Sequence, residues 1–443
     1  MTEARRRESA LGLHDFVRRL DIDLKPDPSL VVLRAFRPSV EPRGLNSTGP
    51  DRIQRIISRV LENSAAECKV ELDRVLAGFA DRHRSVQTFF LERFEVVARP
   101  YLNHRLLTLE QQLLIGAYFA HEYSYQAAAL FNPSIVRHPD QSNVPEGTCR
   151  FLMSLRAVGE GHISSICFRT GMVDADGGVC LDDRHDHALS SIASVANIGT
   201  ANDTHVHIQC GKNHPLDESV IFPVTLAQSN GIEDLRLVKF TEDDGAETYF
   251  GTYTAYSGAA IASELLQTDD FVNFRLSAMT GGASHNKGMA LFPRRIDGRY
   301  AMIGRQDNEN LWMLYSDDVL SWDGGSVLMK PAFAWEATQI GNCGSPIEVD
   351  EGWLVLSHGV GPVRNYSIGA FLLDKHDPSK LLARTPEPII RPQPAEREGY
   401  VPNVVYTCGA LEHGRTLVIP YAIADSTTTV ATVDVGDLIA AMV

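Results

Sequence analysis

The stretch EGWLVLSHG, residues 351–359, decides the fold. A two-residue turn leads into the apolar run Trp353 to Leu356, which ends on a polar group, His358. The same plan returns four times, in CRFLMSLRA from 149, ETYFGTYTA from 247, GRYAMIGRQ from 298 and GRTLVIPYA from 414. Each copy is followed by a second short apolar run: HISSICFRT, AIASELLQT, LWMLYSDDV, YSIGAFLLD and TTVATVDVG. Runs of this length bounded by Gly, Asp and Asn read as strands. Five such pairs predict a mainly β fold, a five-bladed β-propeller, with an irregular all-β sandwich as the alternative. The copies are spaced at roughly 60 residues, beyond the about 40–50 of compact propeller repeats, so the excess is expected in loops.

The residues before this region have a different period. In DRIQRIISRVLENSAAECKVELDRVLAGFADRH, Ile53, Ile56, Ile57, Val60 and Leu61 recur at helical spacing. Thr108 and Gln111 form a capping box that starts a helix expected to run to Asn132-Pro133. The chain is therefore read as an N-terminal α-helical extension, residues 1–130, and a propeller domain, residues 131–443.

Composition narrows the function. The 443 residues carry a formal net charge of −15, which argues against a nucleic-acid partner, since such proteins present a basic face. The seven cysteines have no CxxC spacing, so scattered reduced thiols in a cytoplasmic protein are expected. The N-terminus has no apolar segment of a secretory signal, and no run is long enough to span a membrane. Asp203, His205 and His207 alternate on one face of a strand, a spacing that metal sites use. Strand histidines are more often hydrogen-bonded structural groups, and no metal is expected. Trp312, Trp322, Trp335 and Trp353 read as blade core rather than sugar platforms.

The repeats also align polar residues. Each first run ends at Arg156, Tyr256, Arg305, His358 or Asp425. In a propeller these positions converge on the axis, where a mixed-charge pocket suits a polyhydroxylated ligand and an anion. In GIEDLRLVKF, residues 231–240, two carboxylates and a guanidinium interrupt an apolar strand. Strand alternation puts Asp234 and Arg236 on one face and Glu233 on the other. The neighbouring Glu233 is expected to raise the pKa of Asp234, as a general acid requires.

The ordered set FNPS (131–134), GIEDLRLVKF, TYTAYSG (252–258), NKGMALFPRRIDGRYAMIGRQD (286–307), YSDDVLSW (315–322), GNCGSPIEVDEGWLVLSHGV (341–360), YSIGAFLLDKHDPSKLLARTPEPII (366–390), PNVVYTCGA (402–410) and YAIAD (421–425) resembles glycoside hydrolase family 130, the β-mannoside phosphorylases and mannosidases. The resemblance implies an inverting attack of phosphate on a β-mannoside, giving mannose 1-phosphate, with no cofactor and phosphate as co-substrate. It implies that Asp234 is the proton donor, with Leu235 in place of the family's Pro. It places Asn132, Arg156 and Asp425 on the sugar; Tyr256, from its repeat position, and His162, beside Arg156, are read as lining the same cleft. It places Asn286, Lys287, Arg305, His358 and Tyr366 on phosphate. Glu348 stands where the phosphorylases commonly carry Lys, and would be the general base if water is the nucleophile. Hydrolysis of β-mannosides and non-catalytic carbohydrate binding are the alternatives. The helices imply a homo-oligomer.

Overall fold

In the computed structural model, residues 14–39, 50–102, 106–197, 204–211 and 214–443 are described. The fold is mainly β. Each of the five repeats forms the second strand of an antiparallel meander, and the run after it forms the third. The meanders are built on Cys149–Val158, Glu247–Tyr256, Tyr300–Gly304, Gly352–Val360 and Thr416–Ile423, each paired with the strand that follows. The first strands are Ala129–Arg137, Gly231–Thr241, Ala290–Leu291, Gln339–Asn342 and Val405–Tyr406.

Apolar side chains cement neighbouring meanders, the first two of which are joined in one twelve-stranded sheet. Leu152 and Phe168 of the first pack with Leu237 and Tyr253 of the second. Phe240 and Phe250 of the second pack with Met302 and Leu314 of the third, and Ile303 and Met313 of the third with Trp353 and Phe371 of the fourth. Leu356 and Ile368 of the fourth meet Leu417 and Ile419 of the fifth. Ala422 of the fifth returns to Ala129, Phe131 and Val158 of the first. Trp322 and Trp353 are fully buried within these layers.

The N-terminal reading needs two corrections. Arg18–Leu24 is a strand, not part of a helical extension, and it pairs antiparallel with Thr427–Asp434 as the outer strand of the fifth sheet. Its sequence RRLDIDL alternates polar and apolar residues, the period of a half-buried strand. The helix capped by Thr108 and Gln111 forms, with both reciprocal bonds present, but ends at Ala117. Beyond it, Phe119, Tyr123 and Tyr125 are buried at odd positions, and Ala120–Ser124 pairs with Val31–Ala35. Aromatic residues at period two favour a strand over a continued helix.

The chain divides into two compact units. One holds the chain up to Asp27, Gln126–Arg184 and Ser191–Val443; the other holds Pro28–Tyr125 and His185–Ser190. These bounds differ from a cut at 130/131. The second unit carries the helices Arg52–Leu61, Ala65–Phe79, Val86–Arg93 and Leu109–Ala117. Ile57, Val60, Cys68, Phe94 and Leu114 form its core. No described helix is long and apolar enough to cross a membrane.

Candidate active site

The first strands of the first two meanders are interrupted at the same place. Pairing of Ala129–Arg137 with its neighbour shifts between Phe131 and Ser134, and pairing of Gly231–Thr241 shifts between Glu233 and Arg236. At each bulge a polar residue takes the left-handed conformation: Asn132 at φ 48° and Asp234 at φ 55°. Asp425, in the turn after Thr416–Ile423, is also left-handed at φ 47°. Asn and Asp tolerate this region better than other side chains, and such backbone gathers at functional sites.

The bulges turn these side chains into one cavity of about 190 Å³. Asn132, Arg156, Glu233, Asp234, Arg236, Lys287, Arg305, Asn342, His358, Arg364, Tyr366, Tyr406 and Asp425 line it. Arg156 is the hub on the acidic side. Its Nη1 donates to Asp234 Oδ1 at 3.1 Å, its Nη2 to Glu233 Oε1 at 2.7 Å and its Nε to Ser164 Oγ at 2.8 Å. Lys287 Nζ lies 3.5 Å from Glu233 Oε2. Arg236 is 3% exposed and donates to the Asp234 carbonyl at 3.1 Å and to the Tyr406 hydroxyl at 2.7 Å. Among the described residues Arg305 has no carboxylate partner, and its Nε is buried without a hydrogen-bond acceptor.

The electrostatics reverse one expectation. Burial pushes the Asp234 carboxyl up, but Arg156, Arg236, Lys287 and the Asn132 amide outweigh it and hold the pKa below the ordinary value. Strict alternation put Glu233 on the opposite face; the bulge instead brings it into the same cavity, where it pairs with Arg156 and Lys287. The raised carboxyl is Asp425. Burial, then the Asp234 and Glu233 charges, push it up to about 7 against the pull of Arg156 and Arg364.

Of the residues singled out in the sequence, Asn132, Arg156, Asp234, Lys287, Arg305, His358, Tyr366 and Asp425 meet here. Four do not line the cavity. Asn286 holds the chain beside it: its Nδ2 donates to the Arg305 carbonyl at 2.6 Å, and its Oδ1 accepts from Lys287 N at 2.8 Å. His162 pairs through Nδ1 with the Tyr400 hydroxyl at 3.2 Å. Tyr256 places its hydroxyl 3.4 Å from the Gly258 carbonyl. Glu348 lines a different cavity, where Arg294 grips it with Nε and Nη2, each at 2.9 Å. Glu348 follows Pro346 on the short strand Ile347–Val349, which pairs with Gly352–Leu354 and aims it away from the cationic cavity. Glu233, Arg236, Asn342, Arg364 and Tyr406 are the additions. Arg236 was legible only as the neutralising partner of its neighbours, and Arg364 carried no repeat signal.

Asp203 lies outside the described residues. His205 is a structural group, with Nδ1 2.8 Å from Ser277 Oγ and Nε2 against Arg275. Among the described residues no cluster of three or more His, Cys, Asp or Glu is placed to hold a metal.

A cavity that sets three carboxylates among five cations, at the ends of packed antiparallel strands, is the equipment of an enzyme that breaks glycosidic bonds. The chain belongs to glycoside hydrolase family 130, whose sequence profile, described as β-1,4-mannooligosaccharide phosphorylase, matches residues 189–443. A 1,2-β-oligomannan phosphorylase of Thermoanaerobacter is 33% identical over 229 residues, 50% of this chain and 75% of that protein. A β-1,2-mannobiose phosphorylase of Listeria innocua is 33% identical over 225 residues, 49% of this chain and 61% of that protein. The solved structure of a Listeria innocua β-1,2-mannobiose phosphorylase with β-1,2-mannobiose superposes with a TM-score of 0.50 at 22% identity. It covers 71% of this chain and 92% of that one.

Proposed function

We propose that the chain is an inverting phosphorylase of β-mannosides, and that its five sheets are the blades of a propeller whose axis is the cationic cavity. The propeller reading is supported by the apolar layers, which run from sheet to sheet and return from the fifth to the first. One observation carries the choice of phosphate over water. Arg156, Arg236, Lys287, Arg305 and Arg364 face only Glu233, Asp234 and Asp425 in a chain whose net charge is −15. That local excess of positive charge matches a dianionic nucleophile held in a low-dielectric pocket. The relatives named as phosphorylases point the same way.

In this reading Asn132, Arg156 and Asp425 hold the mannosyl unit, while Lys287, Arg305, His358 and Tyr366 hold phosphate. Phosphate attacks the anomeric carbon as the bond to the leaving sugar breaks, and the leaving oxygen takes a proton that originates from Asp234, relayed by a sugar hydroxyl. A dianion seated on Arg305 and Lys287 offsets the cations that keep Asp234 ionised, and so raises its pKa where the proton is needed. No cofactor enters the scheme. Glu348, paired with Arg294, has no part in it.

The test is product analysis of β-1,2- and β-1,4-linked mannobiose with and without phosphate. Mannose 1-phosphate, formed as the α-anomer only when phosphate is present, supports the reading. Free mannose released at the same rate without phosphate makes the chain a hydrolase instead.

A further inference from the structure

His358 lies in the second strand of the fourth sheet and is 4% exposed. Its ring stacks on Tyr366, with centroids 5.8 Å apart, and tilts against Tyr406 at 4.9 Å. Nδ1 is 3.2 Å from the backbone carbonyl oxygen of Asn342 and 3.8 Å from Cys343 Sγ. A carbonyl only accepts, so Nδ1 carries the ring hydrogen. Burial, with the Arg305 and Arg236 guanidiniums adding to it, lowers the imidazole pKa to about 3, so the ring is neutral near pH 7. Nε2 is then a bare lone pair. Among the described residues nothing donates to it.

This is an unusual element in an anion site. Arg236, Lys287 and Arg305 can only donate, and each suits an oxygen that carries charge. A lone pair facing the same ligand repels such an oxygen. It attracts one that bears hydrogen.

We infer that Nε2 of His358 accepts the hydroxyl hydrogen of the entering anion, so that the cavity takes hydrogen phosphate and rejects anions of like shape and charge that carry no hydrogen. The inference rests on the phosphorylase reading and refines it. Near neutral pH hydrogen phosphate and hydrogen arsenate each carry one such hydrogen. Sulfate and selenate, their respective size matches, carry none. The two pairs therefore separate hydrogen bonding from size.

The test is calorimetric titration of the full chain with these four anions, repeated on His358→Gln after its melting curve has been checked. A glutamine amide can turn an N–H toward the anion, which removes the bare lone pair. The expected result is that the wild-type chain binds phosphate and arsenate at least about tenfold more tightly than sulfate and selenate, the worth of one hydrogen bond. The variant should narrow that ratio to within about threefold. The wild-type comparison stands if the variant does not fold. Sulfate binding as tightly as phosphate, with mannoside turnover still phosphate-dependent, overturns the inference and leaves the phosphorylase reading intact. Discrimination that persists in His358→Gln also overturns it, and assigns the hydrogen to another acceptor. Absence of any anion binding, with mannosides split by water alone, overturns both.

Discussion

Asn132 Nδ2 donates to Asp234 Oδ1 at 2.5 Å, joining the bulged first strands of two neighbouring meanders through two left-handed residues. The bond and the Arg156 contact fix one oxygen of the carboxylate. Asp234→Asn keeps the shape but removes both the charge and the proton. It is expected to lower kcat for phosphorolysis by about 10²- to 10⁴-fold, the usual worth of a general acid, as measured by mannose 1-phosphate release. An effect below tenfold would remove Asp234 from the chemistry.

Asp425 has a folded-state pKa of about 7 against an ordinary value of 3.8. The folded chain therefore binds more protons than the unfolded chain between these values. Its contribution to stability is full below about pH 4 and is lost as pH rises through 7. Asp425→Asn should flatten the fall in Tm across that window and leave the variant relatively more stable at pH 8. Parallel pH–melting curves for the two proteins would refute the raised pKa.

Asn286 touches the Arg305 carbonyl and the Lys287 N–H rather than the cavity. Asn286→Ala removes these part-buried bonds, at about 1–3 kcal/mol of stability. Arg305 and Lys287 are then less well placed, so KM for phosphate should rise several-fold, about 3–10 times, while KM for the mannoside stays within twofold. Equal changes in both constants would instead mean a general loss of structure.

Glu348 is bound by Arg294 and one-third exposed. Glu348→Gln should leave turnover within about twofold, with or without phosphate, and cost only about 0.5–1 kcal/mol in a urea melt. Loss of a phosphate-independent activity in this variant would restore Glu348 as a base for water.

Val363 is 89% exposed and left-handed at φ 58°, a region that burdens a β-branched side chain. Its loop, Gly361–Asn365, has a counterpart at Gly159–Ile163, where Gly161 takes the same conformation at φ 68°. Val363→Gly should raise stability by about 1 kcal/mol, measured by denaturant unfolding. A lower midpoint would show that the valine side chain has a stabilising contact that the solvent-facing position conceals.

The strands that carry the repeats were legible because five apolar runs between turn residues leave little choice of structure. The first strands were less so. Ala290–Leu291 and Val405–Tyr406 are two residues each, too short for a period. The bulges at Asn132 and Asp234 break alternation, so a strict period of two gives the wrong face for Glu233, and the neighbouring charge alone gives the wrong direction for the Asp234 pKa. Arg18–Leu24 was missed for another reason. Its alternation is confined to a few residues, LDIDL, and its partner strand lies far along the chain. Arg156, Arg305, His358 and Asp425 were found together because repetition, unlike local pattern, reports position in the whole.

The pairing of Arg18–Leu24 with Thr427–Asp434 has a temporal consequence. Residues made early wait for residues made late, so the fifth sheet cannot close while the polypeptide is still being synthesised through that region. Asp425 sits in the turn between the two strands that close it. The cavity, which includes Asp425, is therefore complete only once a segment made early has met one made late.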